Sequence, residues 1–293
     1  MSSTVLSIPD LPNNAHKGDA GRVLLLCGSE TMPGAASLCA RAAQRAGAGL
    51  VAVGCSAKNL LQVVPVAAPE AVLVDLVGSE SLLAGRLPEA LEERRDHARV
   101  AGPGLGVHGR SRALVRSLVT DDFTGPLILD ASALTILAED LEFVREARGA
   151  VVLTPHPGEA ARLLGREIPA DDEGRASAAQ EIARRSYGLC ILKGERTIVA
   201  SADQLHVNET GNCGMATAGS GDVLAGMLGA YAAWFEASCT DDRDLFDICV
   251  SAVHLHGLAG DFAAKEKGRR GLIASDLIEF LPTAQRALLE SAS

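Results

Sequence analysis

No apolar stretch in this sequence approaches the about 18 residues that a membrane-spanning helix requires. The longest, around 226–235, fits a buried helix, so no membrane partner is expected. Residues 1–19 carry no basic segment followed by an apolar core, and a secretory leader is therefore not expected either. The seven cysteines are odd in number and contain no Cys-x-x-Cys pair, which argues against a disulfide framework. Cys27, Cys55, Cys190 and Cys249 lie in apolar runs, where cysteine serves as a small hydrophobe, and a reducing cytoplasm is the expected location. Cys213 differs, lying in a glycine loop with no evident base to activate it. A zinc site lacks ligands, since His254 and His256 are two apart and point to different sides of a helix.

A segregated basic patch is also missing. The 27 Lys and Arg face 37 Asp and Glu, a net charge of −10, so polymeric nucleic acid is not an expected partner. The densest basic run, Glu92-Glu93-Arg94-Arg95-Asp96, is charge-mixed and reads as a solvated helix face. Lysine itself is scarce, five against twenty-two arginines, and two of the five, Lys17 and Lys193, fall in glycine-flanked motifs.

What is present is a globular composition: 47% hydrophobic and 22% charged over 293 residues, enough to bury a core without staples. Arg22–Cys27, Gly49–Cys55, Ala98–Ala101, Leu127–Asp130 and Val151–Thr154 read as short buried strands. They alternate with helical segments, among them 35–46, 131–139 and 157–164, which argues for a mostly parallel sheet covered on both faces. Near the end, Leu189–Lys193, Thr197–Ser201 and Leu205–Asn208 form three strands with tight turns, so at least one hairpin is expected. Helices to about Trp234, over Leu245–Lys265 and, briefly, over Ala274–Phe280 complete the pattern. No linker or repeat divides the chain, and one domain over 1–293 is expected.

In such sheets ligands bind beyond the carboxyl ends of the strands. Gly102-Pro103-Gly104-Leu105-Gly106 follows one strand; it is either a tight turn or a close approach of backbone to ligand, and it lacks dinucleotide-fingerprint spacing. Pro155-His156-Pro157-Gly158-Glu159 follows another. There His156 either caps the next helix or aims an imidazole into the cleft, while Glu159 suits the positive helix end. Lys193-Gly194-Glu195-Arg196-Thr197 is either an ordinary charged turn or an anion site. The strongest element is Gly211–Asp222, a glycine-rich loop that enters an apolar helix and gathers free N–H groups and the helix dipole around an anion. It is not a Walker A sequence. Asp222 in the first turn could be a cap, but it also suits activation of a hydroxyl for phosphoryl transfer. The helix field is expected to lower its pKa and keep it ionised at neutral pH.

Gly219-Ser220-Gly221-Asp222 opening a late helix resembles the anion-hole signature of the ribokinase-like superfamily, which implies a three-layer α-β-α sandwich with a mostly parallel central sheet. Five segments together resemble the ADP-dependent NAD(P)H-hydrate dehydratases: His16-Lys17-Gly18-x-x-Gly21; Pro33-Gly34-Ala35-Ala36 with Gly47-x-Gly49-Leu50-Val51; Gly102-Pro103-Gly104-Leu105; Leu153–Glu159; and Asn212–Leu224. The similarity covers about residues 16 to 282.

The resemblance implies a hydro-lyase that restores the S epimer of hydrated NADH or NADPH (NADHX or NADPHX) to the working cofactor while ADP yields AMP and phosphate. It implies that Asp222 is catalytic and that Gly219, Ser220 and Gly221 form the anion hole. It further implies that Lys193, Gly194, Glu195, Arg196, Thr197 and Gly221 bind AMP or ADP, and that Ala35, Gly104, His156 and Asp222 line the hydrate site. Glu159 matches a position that reaches Mg²⁺ through water, so Mg²⁺ is expected. A homotetramer is the family's common assembly. Two positions depart from the family pattern: Ser132 stands where Asp or Gly is usual, and Ser220 where Thr is commoner. Many relatives carry a fused N-terminal epimerase domain; here about fifteen residues precede the first motif, so the chain is expected to process one epimer and to depend on a separate epimerase, or on spontaneous epimerisation, for the other. Two alternatives share the anion hole. One is a kinase for a hydroxymethyl-pyrimidine, thiazole or vitamin B6 alcohol, and the other is a nucleotide-binding regulator without catalysis.

Overall fold

The computed structural model describes residues 8, 11, 13–83, 87–92, 94–238 and 244–291. The chain alternates β1 (Arg22–Leu26), α1 (Pro33–Arg45), β2 (Leu50–Cys55), α2 (Leu60–Ala67) and β3 (Val72–Asp75). Two single turns, α3 (Glu80–Leu83) and α4 (Glu89–Glu92), precede β4 (Ala98–Ala101), α5 (Gly109–Val119), β5 (Leu127–Leu129) and α6 (Ser132–Leu137). Then come β6 (Val151–Leu153), α7 (Pro157–Leu164), α8 (Asp172–Ser186), β7 (Leu189–Leu192), β8 (Ile198–Ala200) and β9 (Leu205–Val207). Three long helices follow: α9 (Ser220–Ser238), α10 (Leu245–Lys267) and α11 (Ala274–Ser291).

The strands form one sheet in the order β3-β2-β1-β4-β5-β6-β7-β8-β9. Pairing is parallel from β3 through β7 and antiparallel between β7 and β8 and between β8 and β9, which places the expected hairpin at the Lys193–Thr197 turn. Burial on both faces explains the unbroken apolar runs. Along β1, Val23 and Leu25 enter one core with α1, α9, α10 and α11, while Leu24 and Leu26 enter a second core with α5, α6, α7 and α8. The fold is thus the expected ribokinase-like α/β sandwich.

The caps follow local chemistry. Pro33 opens α1, where its missing N–H costs nothing. Asp171 and Asp244 accept backbone N–H bonds at the starts of α8 and α10, and Gly165 closes α7 at φ 66°.

Two expectations are corrected. The final helix does not stop near Phe280: α11 runs for 18 residues through Pro282. Its buried stripe of Leu277, Leu281, Ala284 and Leu288 continues past the proline, and Gln285 Nε2 donates to Ala46 O (3.2 Å) and Tyr231 Oη (2.9 Å), so packing outweighs the lost helical bond. Nor is the run 92–96 a solvated helix face. The turn of α4 ends at Glu92, and Arg94 pairs at 2.6 Å with a buried Asp96; Glu93 lies outside the described residues, as do residues 1–7 of the N-terminal segment. Among the described residues no helix is long and apolar enough to cross a membrane.

Candidate active site

The sheet order reverses between β1 and β4, and a cleft opens beyond the carboxyl ends of β5, β6 and β7. Three strand ends deliver charge to it. Asp130 follows β5 and is 2% exposed. Its carbonyl passes so close to Gly102 that a Cβ there would stand 1.8 Å from the oxygen, which makes glycine obligatory at that position. Ala131 adopts φ 48°, a strained conformation for alanine at the point where the chain turns Asp130 toward the cleft.

From the end of β6, His156 does what both of its readings require. Its Nδ1 accepts from the N–H groups of Gly158 (3.0 Å) and Glu159 (3.2 Å), while Glu159 Oε2 accepts from His156 N (2.8 Å), a complete capping box at α7. Because Nδ1 is an acceptor, the ring proton is on Nε2, and the exposed ring faces the cleft.

Lys193 follows β7, with its N–H bonded to Pro155 O (2.8 Å). Its ammonium donates to Asp130 Oδ1 at 2.6 Å and lies 4.0 Å from Glu159 Oε2. It also stands beside Gly221, where a Cβ would be 3.4 Å from Nζ. The scarce lysine is therefore not a free surface cation but the centre of a charge cluster.

The loop 211–219 wraps over this cluster. Asn212 caps a 3₁₀ turn (Cys213–Met215) by accepting from Gly214 N, and Gly219 at φ 89° turns the chain into α9. Asp222, in the first turn of α9, does not have the lowered pKa expected of it. Burial and the neighbouring carboxylate of Asp130 outweigh Lys193 and push it up to about 6. At neutral pH it is still mostly ionised, but within reach of accepting a proton.

These residues share a cleft of about 790 Å³, lined by Asp130, His156, Glu159, Lys193, Gly194, Glu195, Thr197, Ser220, Gly221 and Asp222. Its other wall is Asn208, Met215, Leu224, Val253 and His256. Four carboxylates face one lysine there, so a polyanion needs an additional cation. Among the described residues no cluster of three or more Asp, Glu, His or Cys is placed to hold a metal unaided.

Not every expected residue lines the cleft. Ala35 and Gly104 meet each other at the β1/β4 reversal, where a Cβ on Gly104 would approach that of Ala35 to 2.7 Å. Gly219 packs on Leu38, and Arg196 is turned outward to pair with Asp172. Two site residues were not singled out from sequence. Asp130 stood only as a strand end, and His256 was considered only as a zinc ligand; it instead lies against the start of α9, with Nε2 at 3.0 Å from Ser220 O. The helical spacing of His256, Gly257, Gly260 and Asp261 was the signal that could have shown a shared face.

A family model described as NAD(P)H-hydrate dehydratase matches residues 23–283. The chain is 37% identical over 290 residues to a bifunctional NAD(P)H-hydrate repair enzyme of Thermofilum pendens, covering 97% of this chain and 53% of that one. It is 36% identical to an ADP-dependent (S)-NAD(P)H-hydrate dehydratase of Neisseria meningitidis, covering 94% of this chain and 90% of that one. The chain thus spans about half the length of the bifunctional relatives it matches. The crystal structure of an ADP/ATP-dependent NAD(P)H-hydrate dehydratase from Bacillus subtilis, co-crystallised with ATP/Mg²⁺, superposes with a TM-score of 0.80 at 30% identity, over 97% of this chain and 96% of that one.

Proposed function

The chain belongs to the NAD(P)H-hydrate dehydratase family, and from that premise we propose that it is an ADP-dependent hydro-lyase acting on the S epimer of NADHX and NADPHX. The observation that carries the reading is Asp222, held near neutral pKa at the mouth of a glycine loop and a helix N-terminus.

Hydroxide leaves a carbon poorly and phosphate leaves well. In the proposed reaction Asp222 accepts the proton of the substrate hydroxyl, whose oxygen attacks the β-phosphorus of ADP and releases AMP. The phosphate then departs with the C–O electron pair, pushed out by the ring-nitrogen lone pair. The neighbouring ring carbon gives up a proton to solvent, so that its C–H electrons become the restored dihydropyridine double bond. The anion hole of Gly219, Ser220 and Gly221 would stabilise the charge that grows on the transferring phosphoryl group. Ser220 and Gly221 line the cleft, while the Ser220 amide is bonded to Thr217 O, which leaves Gly221 as the amide best placed for it. Lys193, Gly194, Glu195, Thr197 and Gly221 provide the nucleotide side of the cleft, with Arg196 contributing its backbone. His156 provides the hydrate side, and Ala35 and Gly104, which meet at the strand reversal outside the cleft lining, would take part only where a bound hydrate extends that far.

The donor set fits Mg²⁺ held through waters and phosphate oxygens, because Asp130 is occupied by Lys193 and Glu159 by its own helix cap. Glu159 and Asp130 are the residues that would reach its waters. When bound, the ion would supply positive charge to the phosphates and offset the four carboxylates. The same reading includes a single catalytic domain, a cytoplasmic homotetramer and a separate epimerase that supplies the S form.

Mixing the protein with NADHX and ADP tests this. The S epimer should regain NADH absorbance while AMP and phosphate appear in equal amounts. No recovery with either ADP or ATP, from folded protein, would contradict it, and a stable phosphorylated alcohol would favour a kinase.

A further inference from the structure

The loop that carries the anion hole is fastened at both ends to one face of α10. At its entry, Asp261 Oδ2 accepts from Gly211 N (2.8 Å) and its Oδ1 from Asn212 Nδ2 (2.9 Å). The same Asn212 nitrogen donates to Gly260 O (3.0 Å), and Thr210 Oγ1 donates to His254 O (2.8 Å). At its exit, His256 Nε2 lies 3.0 Å from Ser220 O. A carbonyl has no proton to give, so that ring nitrogen carries one and donates it. Burial lowers the ring's pKa to about 4, which keeps it neutral and in this tautomer throughout the range where the site would work.

Between these anchors the helix presents glycine. A Cβ on Gly257 would stand 2.6 Å from the Thr210 carbonyl carbon, and one on Gly260 would stand 2.2 Å from Met215 Sδ. Loop and helix are therefore in direct backbone contact, with a hydrogen-bonded clasp at each end. A loop bearing several glycines is conformationally permissive, and its amides converge on one point only if something outside it fixes them.

We propose that His256 and Asp261 are positioning residues for phosphoryl transfer: they hold the 211–221 loop from outside so that its last amides meet the transferring phosphoryl group already aligned. Neither residue needs to touch the reacting atoms. The inference rests on the dehydratase reading for its reaction but not for its binding readout, because preformed amides also serve simple nucleotide binding.

The test compares His256→Ala, His256→Gln, His256→Asn, Asp261→Ala and Asp261→Asn. A glutamine places its Nε2 donor near that of the ring, whereas the shorter asparagine does not reach. We expect His256→Ala and Asp261→Ala to lose about 10- to 100-fold in kcat, the cost of misplaced amides, with KM for the hydrate within about twofold of wild type. His256→Gln should recover most of the loss and His256→Asn little of it, at similar melting temperatures. ADP affinity by calorimetry should weaken in the same order.

If glutamine rescues no better than asparagine, or if kcat and ADP affinity stay at wild-type values in the alanine variants, the positioning role is refuted. If the wild type turns over no hydrate, the dehydratase reading fails, and the order of ADP affinities alone decides the positioning claim.

Discussion

Asp222 is held between opposing charges, and the balance sets its chemistry. Burial and Asp130 raise its pKa while Lys193 lowers it, leaving it at about 6. The proton-accepting form is the ionised one, so kcat/KM should fall as pH drops through about 6. Asp130→Asn removes the like charge and releases Lys193, both of which favour the carboxylate, so the acid limb should move to lower pH; an unmoved limb would show that Asp130 does not set it. Asp222→Asn should nearly abolish turnover while ADP still binds, as rate assays and calorimetry on one preparation would show. Asp222 was legible because a carboxylate directly after Gly-Ser-Gly at a helix start has few structural uses. The direction of its shift was not, because Asp130 comes from a different strand and only folding brings it near. The same holds for Lys193, whose glycine-flanked turn suggests an open anion binder but whose ammonium is already paired with Asp130.

The elements carry a second set of constraints. Between α1 and α9 the approach is so close that a Cβ on Gly226 would lie 2.3 Å from Cys39 O. Cys39 Sγ in turn donates to Asp222 O (3.1 Å), so this crossing directly supports the turn that carries Asp222. Gly226→Ala should destabilise the protein by about 1–3 kcal/mol, measured by denaturant unfolding, through overpacking against backbone. At α7, His156→Ala removes the acceptor of two amide N–H groups and should cost about 0.5–2 kcal/mol of stability, besides any effect on the hydrate. Eight strands and several helices could be read from apolar runs and caps, but β3 could not, because it is an edge strand with only Val74 of its four residues buried, and α2 and α8 were likewise not read. The full length of α11 could not, because its passage through Pro282 depends on contacts with Ala46 and Tyr231. The clasp of α10 on the loop was hidden for a similar reason: its partners lie 36 to 50 residues apart, and each looks ordinary alone.

At the scale of the molecule, a net charge of −10 coexists with an anion site. In the proposed site the anion meets backbone amides, a helix end and one lysine, so a global charge that argues against polymeric nucleic acid does not argue against nucleotides. With four carboxylates lining the cleft, removal of Mg²⁺ by a chelator should abolish turnover and weaken ADP binding at least tenfold, about 1.4 kcal/mol; unchanged affinity would mean that the amides and Lys193 suffice. The order of the nine strands, and hence the point of reversal at β1 and β4, emerges only in the fold. It separates Ala35 and Gly104 from the main cleft, a division that motif spacing did not reveal.

The central claim is that the substrate hydroxyl is phosphorylated and then expelled as phosphate. It is tested most directly with NADHX carrying heavy oxygen in that hydroxyl, turned over with ADP and followed by mass spectrometry of the released phosphate. The account predicts that the label appears in inorganic phosphate, one atom for each NADH formed. Label found in water, with unlabelled phosphate, would contradict it and reduce ADP hydrolysis to a side event.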